Sequence, residues 1–261
     1  MKFSSMMKNC FTANTFTFLL MLAPLLVTNT ASASEQQKQE HQFTKCSRIS
    51  NYVIYLSGIN VGIMNRTEAW QGKTAVVTST SEASILGIGT HYEQRAELSW
   101  SNINNVWLTD TFHQKVTGFR SRDMQVTFAN HGLESRVDID GDIDTYKSAE
   151  IPLRDVDTLA IQIREYLLQG RKQFALIRQA SDAIESYQFY VEEVQTANIE
   201  PWGELTLIPV VQTGAEDVTY YFAPAMDYQL IKAKYHGIIL QGLIELDSYT
   251  SSCELSVARY P

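Results

Sequence analysis

The chain has 261 residues, is 44% hydrophobic and carries a formal charge of −8 with its histidines neutral. That length admits one large domain of the roughly 50–250 residues usual for a compact unit. The acidic balance disfavours nucleic acid and anionic lipid headgroups as bulk partners, because both repel a negative surface.

Lys2 and Lys8 precede an apolar run over 16–27, then polar Thr28-Asn29-Thr30 and small Ala31-Ser32-Ala33. A positive start, a short apolar centre and a small-residue exit read as a secretory signal peptide over 1–33, cut near Ala33/Ser34. The run falls well short of the roughly 20 residues a spanning helix needs, so the processed chain is not expected to span a membrane. Ser34 stands where a lipid-anchored protein would carry cysteine, and Cys10 lies upstream of the apolar run. The expected localisation is therefore outside the cytoplasm, in an oxidising space. Residues 34–48 read as a flexible leader. Two cysteines then remain, Cys46 and Cys253, and an even pair in an oxidising compartment reads as a disulfide closing almost the whole domain.

From Ile49 the hydrophobic pattern has a period of two. Tyr52, Ile54 and Leu56 alternate with Val53 and Tyr55, a turn follows at Ser57-Gly58-Ile59-Asn60, and the pattern resumes at Val61. Strands are predicted over 73–80, 92–100 and 106–116. In the last, Val106, Leu108, Phe112 and Val116 are expected on one face, with Thr109, Thr111, His113 and Lys115 on a solvated one. Alternation returns at Met124, Val126 and Phe128 and at Leu133, Val137 and Ile139. Asn104-Asn105, Asn130-His131-Gly132 and Asp140-Gly141-Asp142 supply turn chemistry between the runs. Residues 155–169 instead follow helical spacing: Val156, Ala160, Ile163 and Leu167 form a stripe, with Leu159 and Tyr166 beside it. Asp155 or Asp157 can cap the start, and Gly170 can close the end. Further strands are predicted over 172–177, 187–194, 205–211, 218–222, 229–236 and 238–246.

The expected fold class is mainly β. A single curved antiparallel sheet or partly closed β-barrel of about a dozen strands is predicted over 49–261. Its one amphipathic helix packs in the mouth or along the open side, because a long sheet twists and the helix needs an apolar surface.

The opening Tyr52-Val53-Ile54-Tyr55-Leu56-Ser57-Gly58-Ile59-Asn60-Val61-Gly62, the central helix, Ile199-Glu200-Pro201-Trp202-Gly203-Glu204-Leu205 and Tyr221-Phe222-Ala223-Pro224-Ala225-Met226-Asp227-Tyr228 occur in that order. Together they resemble an exported Gram-negative domain-of-unknown-function family, DUF 3108, over roughly residues 49–249. The resemblance implies a periplasmic β-rich domain and carries no catalytic residues with it.

Reaction chemistry leaves little trace in the residues. The chain has no Gly-x-Ser-x-Gly nucleophile elbow, no Cys-x-x-Cys and no glycine loop placed to cradle phosphate. His41, His91, His113, His131 and His236 lack the spacing of a helical metal site. Asp138, Asp140, Asp142 and Asp144 fail the EF-hand pattern, with glycine fourth and alanine twelfth. They read as a hairpin tip with Ile139 opposite Ile143 and Asp138 opposite Asp144. No catalytic residue, metal ligand or cofactor is assigned. Aromatics gather in the second half, and of these Trp202, Tyr220, Phe222 and Tyr228 are the candidate ligand-binding residues, since a curled sheet can enclose an apolar ligand. The expected role leans away from an enzyme. It is a binding domain for a lipid or other apolar or amphipathic ligand, or for an envelope protein. The alternatives are an enzyme acting on envelope polysaccharide or peptidoglycan through paired carboxylates, and a scaffold that pairs a strand edge with another protein.

Overall fold

The computed structural model describes residues 45–85, 88–118, 120–237 and 241–253. The predicted signal peptide and most of the predicted leader lie outside the described residues, as do 238–240 at the start of the last predicted strand. The first meander runs β1 (Cys46–Leu56), β2 (Ile59–Gln71), β3 (Thr74–Ile85), β4 (Ile88–Ser101), β5 (Val106–Gly118), β6 (Arg122–Ala129), β7 (Glu134–Ile139) and β8 (Asp142–Lys147). After the short β9 (Leu153–Arg154) and helix α1 (Val156–Leu168), the second comprises β10 (Gln173–Gln179), β11 (Ile184–Val191), β12 (Gln195–Ile199), β13 (Gly203–Gly214), β14 (Val218–Ala223), β15 (Gln229–His236) and β16 (Gln241–Ser251).

The strands form one sheet in the order β8-β7-β6-β5-β4-β3-β2-β1-β16-β15-β14-β13-β11-β10-β9, with β12 paired to β13. All pairings are antiparallel except β9 with β10. The two meanders join where β1 pairs with β16, and Cys46 and Cys253 are disulfide-bonded at that join with 4.9 Å between their α-carbons. Strand β1 thus begins within the stretch read as leader. The sheet curls until its two ends meet: Ser135 Oγ on β7 donates to Gln179 Oε1 on β10 at 2.5 Å, and Leu153 N donates to Gly132 O at 2.8 Å. The result is a nearly closed barrel.

Among the described residues there are sixteen strands rather than about a dozen. The additional ones carry weak patterns for physical reasons. Strand β8 is an exposed, mostly polar edge with no apolar alternation to read. Strand β9 has two residues. Strand β12 continues the line of β11 along β13, interrupted opposite Pro209, whose carbonyl accepts from Glu192 N at 2.9 Å. The Asp hairpin also differs from expectation. Asp140 and Gly141 both have positive φ, 54° and 99°, giving a two-residue turn that sets Ile139 opposite Asp142 and Asp138 opposite Ile143. Asp138 and Asp144 therefore do not oppose each other. Asp138 Oδ1 instead accepts from Gly141 N at 3.0 Å.

A bulge where β4 meets β5 corrects a second assignment. Leu98 pairs with Thr109 and Glu97 with Thr111, so Asp110 is the extra residue. The faces of β5 exchange at that point, and Thr109 is buried rather than solvated. Strand β6 pairs only with residues 111–116 of β5, which leaves 106–110 as a free edge. The helix region covers it: Trp107 N donates to Gln162 Oε1 at 2.7 Å, and Arg154 Nε donates to Trp107 O at 3.0 Å. Helix α1 thus lies along the seam between the sheet's two ends.

Asp155 caps α1, accepting from the backbone N–H groups of Asp157 at 2.7 Å and Thr158 at 3.1 Å. Its other oxygen accepts from Thr109 Oγ1 at 2.7 Å and from Thr158 Oγ1. Gly170, at φ 71°, ends the helix in the left-handed conformation. The predicted stripe splits. Ile163 and Leu167 enter a core with Leu159, Tyr166, Phe174 and Phe189, and Ile161 joins Trp70, Val77 and Phe112 on the first meander. Val156 is 39% exposed and Ala160 half-buried, because this side of the helix faces the interior space rather than the wall. Among the described residues, no helix is long and apolar enough to cross a membrane.

The disulfide closes a loop with a sequence separation of 207. Replacing Cys46 and Cys253 by serine is expected to destabilise the fold by up to about 5 kcal/mol, the chain-entropy value for so long a loop. Urea unfolding of both forms at one pH measures the loss.

Candidate functional site

The interior wall is layered. Ser50, Arg66, Ser79, Gln94 and Gln114 stand side by side across β1–β5, each in register with the next. Side chains two residues apart on a strand share a face, so Glu68 and Arg48 lie one step along on the same inner surface. Arg48 is Glu68's direct cross-strand partner. Of these, Arg66 and Ser79 reach Asp157 on α1, while Ser50 Oγ accepts from Gln229 Nε2 at 3.2 Å and Gln114 Oε1 accepts from Arg122 Nη2 at 2.5 Å.

Six charged groups form an alternating chain. Asp157 pairs with Arg66; Arg66 Nε lies 3.1 Å from Glu68 Oε1; Glu68 Oε2 lies 3.4 Å from Arg48 Nη1; Arg48 pairs with Asp227, and Asp227 with Arg164. Asp157 and Arg164 are seven residues apart on α1, two turns along one face, so the chain leaves the helix and returns to it. Ser79 Oγ adds a donor to Asp157 Oδ1 at 3.1 Å, and Arg164 Nε donates to Asp227 O at 2.7 Å. Asp227 and Tyr228 follow the short 3-10 turn Pro224–Met226 and both take left-handed φ, 58° and 55°. Two successive non-glycine residues in that region carry backbone strain. Here the strain accompanies Asp227's grip on two guanidiniums and Tyr228's place beside the interior space.

The titration behaviour follows from this packing. Burial by itself would raise the Glu68 carboxyl, but Arg66, Arg48 and Arg164 outweigh it and hold Glu68 below its ordinary value. Burial likewise opposes the charge on Arg66, yet Asp157 and Glu68 raise it. Arg164 is lowered, by burial first and then by neighbouring Arg48. Asp155 is raised by burial and then by the charge on Asp157. On the far side of the seam, burial lowers Arg154 to about 10 against the pull of Tyr166 and Asp155.

Between the 156, 160 and 164 face of α1 and the opposite wall lies a cavity of about 190 Å³. One end holds Arg66, Glu68, Asp157 and Arg164; the other holds Arg178, Gln212 and Tyr187. Arg178 bridges Glu185 at 2.6 Å and Glu216 at 3.3 Å, and Tyr220 OH donates to Gln212 Oε1 at 3.0 Å. The rest of the lining is largely apolar, with Leu159, Ala160, Phe222, Leu230 and Ile244 among its residues.

Of the four aromatics singled out from the sequence, Tyr220, Phe222 and Tyr228 line this cavity. Trp202 stands apart, packed against the core of Tyr52, Leu207, Ala223 and Ile231. Sequence reasoning missed Arg48, Arg66, Glu68 and Arg164, and it read Asp157 only as a helix-start residue. A signal was present: Arg66 and Glu68 sit two apart in a period-two run, and Asp157 and Arg164 sit seven apart in a helical one.

No family model matches the chain, and no curated protein matches it. Among solved structures, the chain is similar to a β-barrel-like protein of the domain of unknown function DUF1849 from Brucella abortus. The two are 7% identical with a TM-score of 0.55, and the match covers 82% of this chain and 100% of the other. The likeness is one of fold: both are β-barrel-like. It points to a different family from the one the motif order resembles.

Two outcomes are expected. Arg66→Ala leaves Asp157 and Glu68 buried without their main partner and should cost about 3–5 kcal/mol, whereas Ser79→Ala removes one donor and should cost about 1 kcal/mol; urea unfolding distinguishes them. Because the folded Glu68 value is depressed, its stabilisation is present in full above the ordinary carboxylate range and is lost as pH falls through the lowered value. The stability gap between wild type and Glu68→Gln should therefore shrink as pH falls through and below the ordinary glutamate value of about 4.3.

Proposed function

We propose that this protein is a periplasmic, non-enzymatic domain that holds an apolar or amphipathic molecule between α1 and the barrel wall. The observation that carries this reading is the cavity of about 190 Å³, whose largely apolar lining includes two groups of charged and polar side chains. Ligand sites combine an apolar lining with a few placed polar groups in this way. The volume is below the roughly 300–1,000 Å³ of drug-sized sites, which suits a single short chain or a small amphiphile rather than a whole lipid. The export signal in the sequence and the motif order resembling DUF 3108 support the address.

An acid–base enzyme needs a carboxylic acid available to substrate. Among the described residues burial raises two aspartates, Asp155 and Asp110: Asp155 accepts hydrogen bonds from Asp157, Thr158 and Thr109 while capping the helix, and Asp110 accepts from Ser99 Oγ at 2.8 Å; neither is among the residues lining the cavity. A partner in the envelope is the second reading. Strand β8 ends the sheet's strand order with one edge unpaired among the described residues, and its Ile143 is 54% exposed, the arrangement on which another protein can add a strand.

The neutral fluorescent probe N-phenylnaphthylamine should bind the purified domain with increased emission. Ala160→Phe, which fills the cavity from the helix, should weaken binding at least about tenfold while circular dichroism stays native. Equal binding by the two proteins would remove the cavity reading. Native mass spectrometry and lipid extraction of protein taken from the periplasm should recover the resident molecule, or show a stoichiometric protein partner in its place.

A further inference from the structure

Resting on that reading, we propose that the cavity selects an uncharged amphiphile with a hydrogen-bond-donating head, such as a hydroxyl, and rejects carboxylate and ammonium heads alike. Three arginines at the first end, Arg48, Arg66 and Arg164, meet three carboxylates, Glu68, Asp157 and Asp227, each engaged with an oppositely charged neighbour. At the second end Arg178 already spans two carboxylates. An anionic head can gain a guanidinium only by displacing a carboxylate that then stays buried and unpaired. A cationic head could reach only a carboxylate that an arginine already neutralises, and would bring an uncompensated positive charge beside Arg66 and Arg164. Leaving such a charge unpaired in a low-dielectric interior costs more than a new contact returns. Guanidiniums beside a cavity are often read as an anion site; here the charge balance argues the opposite.

A neutral head disturbs none of these pairs, and the first end offers it an acceptor. Asp157 lines the cavity, is 3% exposed, and uses Oδ1 for both Arg66 and Ser79, while its Oδ2 has no hydrogen-bond partner. Buried carboxylate oxygens are rarely left so. An O–H donor completes it without adding charge, while the alkyl portion lies against Ala160, Phe222 and Leu230.

Displacement of N-phenylnaphthylamine by octanol, octanoate and octylammonium tests this at one pH and salt concentration. Octanol should compete at least about tenfold better than either charged analogue. Asp157→Asn and Glu68→Gln each remove one negative charge from the balanced set. Either should move the octanol-to-octanoate ratio toward octanoate by about tenfold or more, and two variants guard against one that fails to fold. Octanoate or octylammonium matching octanol on the wild type would overturn the proposal and leave the cavity reading standing. So would a ratio that stays fixed in both variants. Failure of the probe itself to bind the wild type would remove both.

Discussion

The alternating chain Asp157–Arg66–Glu68–Arg48–Asp227–Arg164 is the constraint around which the rest is arranged. It starts and ends on α1 and runs through β1, β2 and the turn before β15. Taking six charges out of water is costly, and buried ion pairs often contribute little net stability against apolar alternatives of similar size. What they supply here is position. A helix held by packing alone could slide or rotate on an apolar wall. One whose two ends of a charged face must each find a specific opposite charge has one register.

That register gives the helix two different jobs. Toward the seam it completes a sheet that cannot close by itself, since β6 stops short of β5 and Gln162 and Arg154 take over the exposed backbone of Trp107. Toward the interior it stands off from the opposite wall, so Ala160 and Val156 face space rather than side chains. The disulfide at the β1–β16 join fixes the wall on the far side, where the two meanders meet. A barrel of this size, filled by one helix, is neither a side-chain-packed core nor an open channel, and the cavity is the difference between the two.

Several elements were legible in the sequence because they obey local rules. Period-two alternation marked most of the strands. The Asp155 cap and the Gly170 stop framed α1 to within a residue or two, because capping is a matter of nearest neighbours. The Cys46–Cys253 pair followed from the count of cysteines and the expected compartment. Strands β8, β9 and β12 escaped because their pairing is dictated by the neighbouring strand rather than by their own composition. The faces of β5 were misassigned past Asp110 because a bulge depends on how β4 meets β5, and alternation assumes an uninterrupted ladder. Arg66 and Glu68 were invisible as a site for a related reason: charged residues on a strand are ordinarily its solvated face.

By itself, then, the sequence determined the class of elements and their order, the cap and stop of the helix, and the covalent join, because each rests on residues close in the chain or on a simple count. Only the tertiary structure decided that Asp157 and Arg164 meet partners from strands about a hundred residues earlier and a turn some sixty later. It also decided that the helix face of Val156, Ala160 and Arg164 turns inward and that a space remains beneath it. Those outcomes depend on sheet curvature and register summed over all the described strands, and no local pattern encodes that sum.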